Sequence, residues 1–124
     1  MFSGVMRKTF WGVVVLLMSL VTASSAVTPK VTLSTTRIAT PGHVIVLGSG
    51  FTPSASISSH LVRPDGAEYP VLALYTNNKG EFTHDIETLV LTLGVHKLWV
   101  VDDTSKVVSN HAEFEVTSNP VKTY

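Results

Sequence analysis

From residue 27 onward the chain sets short apolar runs between turn residues, and no stretch repeats apolar positions at helical spacing. The clearest run is Ala112 to Thr117. Ala112, Phe114 and Val116 fall on one side of an extended chain, and Glu113, Glu115 and Thr117 on the other. A period of two marks a strand with one face in a core, and it predicts that Phe114 is buried. Further strands are predicted over residues 31–38, 44–47, 57–63, 71–75, 81–87 and 95–101. Turn signals separate them: Thr40-Pro41-Gly42, Gly48-Ser49-Gly50, Pro64-Asp65-Gly66 and Asn77-Asn78-Lys79-Gly80. Residues 89–93 are apolar enough for a short strand or a buried crossover. This spacing predicts an all-β domain, a sandwich of seven to eight antiparallel strands.

Two strands carry more apolar residues than one core can take. In residues 95–101, His96, Leu98 and Val100 share one face, and Val95, Lys97, Trp99 and Val101 share the other. Val44 and Val46 oppose Ile45 and Leu47 in the same way. If these strands are neighbours, Ile45, Leu47, Trp99 and Val101 form a sticky outer patch, and tryptophan is enriched at binding hot spots. The competing expectation is that residues 88–94 or the N-terminal strand fold over Trp99. The Thr- and Val-rich segment 27–38 is a second candidate contact, a strand able to detach and complete a neighbour's sheet.

The first 26 residues read differently. Arg7 and Lys8 precede an apolar run from Phe10 to Val21, and Ser24 and Ala26 are small residues where a signal peptidase cuts. The expected organisation is a signal peptide at 1–26, the β-domain at 27–117 and a polar tail at 118–124. The protein is then secreted, periplasmic or held at a cell surface. Without Arg7 and Lys8, seven basic residues face nine acidic ones, a formal charge of −2. That balance gives no electrostatic case for nucleic acid, and no stable membrane span is expected after cleavage. There is no cysteine, so stability must come from packing rather than disulfides.

Candidate chemistry is thin. Gly48 and Gly50 flank a strand end, where a close backbone approach lets Phe51 fold inward. They precede no helix and no Gly-Lys-Ser/Thr, so they do not read as a phosphate loop. Five histidines (His43, His60, His84, His96 and His111) include no metal-binding repeat. A metal site would have to draw His84 or His96 together with Asp85 or Asp102 across strands. Asp102 and Asp103 read first as caps of a turn through backbone N–H groups, and second as part of a calcium loop. There is no GxSxG elbow, and Glu113 and Glu115 share a flat strand face without a cleft. No catalytic residue, metal ligand or cofactor is assigned.

Several short motifs run together along residues 31–117. They are Pro41-Gly42 with Val44-Ile45-Val46 and Gly48-Ser49-Gly50-Phe51-Thr52-Pro53, then Pro64-Asp65-Gly66 and Asn78-Lys79-Gly80-Glu81-Phe82. Gly94-Val95-His96-Lys97-Leu98, Val101-Asp102-Asp103 and Phe114-Glu115-Val116 follow. This series resembles the immunoglobulin-like domains of bacterial secreted and surface proteins. The resemblance implies a sandwich of two antiparallel sheets acting as a spacer, an adhesive module or an assembly subunit. A single copy behind its own leader is expected of a small accessory protein or a subunit. The functional expectation is a non-catalytic extracytoplasmic subunit that binds another protein or copies of itself through an apolar sheet face. The alternative is a carbohydrate- or calcium-binding module that uses loops at one end.

Overall fold

The computed structural model describes residues 27–119, and the expected signal peptide and the end of the polar tail lie outside them. The described chain is all-β. Its strands are β1 (Lys30–Leu33), β2 (Arg37–Thr40), β3 (His43–Ser49), β4 (Ser56–Val62), β5 (Leu72–Tyr75), β6 (Phe82–Glu87), β7 (Gly94–Asp102) and β8 (Ala112–Ser118). They form a three-stranded sheet, β1-β3-β6, and a five-stranded sheet, β2-β8-β7-β4-β5.

Alternation decides which side chains meet. Val31, Val44, Val46, Phe82 and Ile86 come from the small sheet, and Ile57, Leu98, Val100, Phe114 and Val116 from the large one. All ten are buried and belong to one cluster. Phe114 is 1% exposed, as its alternating strand predicts. Phe51 plugs one end of this core, its ring edge-on to Phe82 at 5.5 Å. Gly48 makes that fit possible, because a Cβ there would overlap the Phe82 ring.

The N-terminal run is two strands rather than one. At Ser34 the chain leaves the small sheet, its amide donating to Ile45 O and its Oγ accepting from Ile45 N. Thr35 Oγ1 accepts from Arg37 N and sets the next turn. The second half then enters the large sheet parallel to β8, so the expectation of purely antiparallel pairing fails at β2–β8. Every other strand pairing is antiparallel.

The segment expected to be a strand or buried crossover is a 3-10 turn, Thr88–Val90. Its buried residue is Thr88, whose Oγ1 accepts from Gly42 N and donates to Gly42 O. Leu89, Val90 and Leu93 are exposed instead. Polar bonds to Gly42 fix this turn, so its apolar side chains are left pointing outward.

Candidate functional site

Three strands facing five leave part of the large sheet uncovered. β1 lies against β8 at one side, and β6 ends the small sheet near β4. Beyond β6, the inner faces of β4 and β5 open into a crevice of about 350 Å³. Its walls are Leu61, Leu72, Ile86, Val90, Leu91 and Leu98, joined by Tyr69 and Pro70. Leu72 stands opposite Ser59 on the inward face of its strand, yet it is 42% exposed.

Two polar groups line this apolar space. Ser59 is only 8% exposed and lines the crevice from β4. His84 lies on the inward side of β6 between Phe82 and Ile86, and burial lowers its pKa below the usual 6.5. A half-buried imidazole and a hydroxyl offer both donors and acceptors in an otherwise oily cleft.

The sequence candidates do not converge. Ile45 and Leu47 sit on the outward side of β3 in the small sheet, and Trp99 and Val101 on the outward side of β7 in the large one. The expected patch fails because β3 and β7 are in different sheets, so the two pairs face away from one shared core. Val90 and Leu91 border the inward-facing Leu98 and β1 belongs to the small sheet, whereas Trp99 is on the outward side of β7. Its indole stacks between His60, at 5.3 Å and 4°, and His111, at 4.8 Å and 14°. Side chains on neighbouring strands stand perpendicular to a sheet, so aromatic rings at one level stack face to face. Glu68 holds the outer imidazole at 2.6 Å from His60 Nδ1.

The residues on which a metal site would have to draw do not gather into one. His96 is fully buried, stacked on Phe114 at 5.3 Å, with Nδ1 donating to Gly94 O and Nε2 facing the Tyr69 hydroxyl at 3.4 Å. Burial drives its pKa down, and the Arg63 charge adds to that, against a smaller opposing effect of the Gly94 carbonyl. Asp85 instead holds His43 at 2.8 Å, and this hydrogen bond raises the His43 pKa. Asp102 Oδ2 accepts from Thr52 N and Oγ1, and its Oδ1 from Thr104 N and Ser105 N. Burial alone would raise its pKa, but these bonds stabilise the anion and hold it below the usual value. Asp103 takes the hydroxyls of Ser56 and Ser58, which lower its pKa too. Both carboxylates therefore act inside the fold: Asp102 caps the turn through backbone N–H groups as expected, whereas Asp103 instead takes the hydroxyls of β4. Glu113 and Glu115 pair outward with Lys97 and Arg37. Among the described residues no three acids or histidines cluster as a metal site would require.

The crevice residues were missed in the sequence. The one available signal was the apolar segment 89–93, whose partner strands could not be seen.

No family model and no curated protein matches this sequence. Among solved structures, the CARDB domain of a Pyrococcus furiosus protein, determined in complex with di-metal ions, is similar at a TM-score of 0.45. It is 12% identical, over 78% of this chain and 100% of that one. Macromomycin is similar at a TM-score of 0.45 and 12% identity, over 73% of this chain and 99% of that one.

Proposed function

We propose that this protein is an immunoglobulin-like, non-catalytic binding or assembly subunit that works outside the cytoplasm. Its contact surface is the apolar crevice beside β6. The leader-like first 26 residues support the location, and the two sheets sharing one core support the fold reading. The observation that carries the binding role is Leu72, an inward-facing leucine left open to solvent in a wall of apolar side chains. Exposed apolar surface of this kind is costly in water and marks a place where a partner packs. The outer-face candidates fit less well, because both faces of the Trp99 ring are already stacked.

The test is the mass of the native protein, extracted mildly from its host's extracytoplasmic fraction. A defined larger complex is expected for the wild type, and monomer for Leu72→Lys and Val90→Lys. A wild-type monomer, or complexes that survive both substitutions, would overturn the reading. Either residue is already exposed, so these variants should fold, and near-UV circular dichroism checks that they do.

A further inference from the structure

The two edges of the small sheet differ. At the β1 edge, Asn110 Oδ1 accepts from Val31 N at 2.8 Å and its Nδ2 donates to Val31 O at 3.0 Å, so a side chain imitates a neighbouring strand. At the β6 edge no strand among the described residues pairs with the side turned away from β3. Backbone groups there are available to an incoming chain. The free edge and the crevice adjoin: His84 and Ile86 of β6 form one wall, and β4 and β5 form the floor. A strand laid along β6 would be the fourth of the small sheet, and its inward side chains would cover Leu61 and Leu72.

The outer side of β6 restricts the chemistry of that strand. Thr83, Asp85 and Glu87 point outward and are exposed. Asp85 is engaged by His43, and Glu87 makes no ion pair among the described residues. Side chains on the outer face of an added strand would stand beside these acids, about 5 Å away across the ladder.

Building on the crevice reading, we infer that the occupant is an extended partner segment alternating apolar with basic residues, and that it adds to β6. Its apolar side chains enter the crevice, near the Ser59 hydroxyl and His84, and its basic ones lie beside Asp85 and Glu87. Main-chain bonds give such a contact its affinity, and alternate side chains its specificity. An addition at β5 would widen the large sheet and leave the crevice open.

The experiment uses the full chain and two blocked peptides of identical composition. One alternates lysine with valine or leucine, and the other groups its apolar residues together. The alternating peptide should bind at least tenfold tighter, and slow hydrogen exchange of amides within Phe82–Glu87 at least tenfold. Leu72→Lys should abolish binding, Glu87→Lys should weaken it severalfold, and Trp99→Ala should leave it unchanged. Equal affinity for the two peptides, or protection confined to β5, would overturn strand addition. The two readings fail differently. If Leu72→Lys breaks the native complex while β6 amides in that complex exchange as fast as in the free protein, strand addition falls and the crevice contact stands. If Leu72→Lys leaves the native complex intact, the crevice contact falls as well.

Discussion

Asp102 ends β7 with its carboxylate almost wholly out of water, where four protein donors replace the lost hydration. Two of these come from Thr52, so the bonds tie the β3–β4 connection to the turn after β7. Asp102→Ala should therefore cost about 3 kcal/mol in urea unfolding, because the Thr52, Thr104 and Ser105 donors lose a charged acceptor. Asp103→Ala, which frees only two serine hydroxyls at a half-buried site, should cost less than half as much. The histidines predict a pH response. His84 and His96 have folded pKa values below the usual 6.5, so the unfolded chain binds protons more readily. Their contribution is complete above about pH 6.5, and is lost as pH falls through the folded values. His43 works the other way, since its raised pKa favours the folded state in acid, but it is exposed and its effect is small. Urea midpoints should therefore drop between pH 7.5 and 5, and His96→Gln should flatten that slope. The capping role of Asp102 was legible in the sequence, because an acid at a strand end has few other uses. The burial of His96 was not, since a lone histidine in an alternating strand reads the same on either face.

At the scale of elements, turns carry much of the specification. Gly80 closes the turn before β6 with φ of +75°, and a Cβ there would meet Phe51 O at 2.1 Å. Gly66 also has positive φ, yet it faces open space. Gly80→Ala should thus destabilise by about 2 kcal/mol or more, and Gly66→Ala by about 1, from backbone conformation alone. Thermal unfolding of the pair separates steric from torsional cost. Thr88→Val keeps the shape of the 3-10 turn and removes the hydroxyl that binds Gly42 N. A loss of about 1–2 kcal/mol is expected in the same measurement. Strand positions were mostly readable, because turn residues with fixed backbone demands bracket them. The break at Ser34–Thr36 was not, since threonine and serine suit a strand as well as a turn. It is the hydrogen bonds of Ser34 to Ile45 that decide between them.

At the scale of the whole molecule, the mismatch of three strands against five produces the crevice. Phe114 and Leu98 lie at the centre of the core, with no water-accessible surface left to them beyond 1%. Phe114→Ala should cost about 3–5 kcal/mol and abolish folding at physiological temperature. Trp99→Ala should be far milder, about 1–2 kcal/mol, because it removes cross-strand stacking from a half-exposed ladder rather than core volume. It should also leave the native complex intact. Were Trp99→Ala to release the partner while folding normally, the contact would lie on the outer face of the large sheet.

By itself the sequence determined the β class, most strand positions and the buried face of β8, because alternation and turn chemistry act over a few residues. It also determined the end plug, through Gly48 and Phe51. Tertiary structure alone decided which strands became neighbours. Ile45 and Trp99 each lie on an outward strand face, but pairing put them in different sheets. Leu72 lies on an inward face, and it is open only because no strand of the small sheet reaches past β6. Exposure depends on what stands across the core, and nothing in the sequence around Leu72 specifies that.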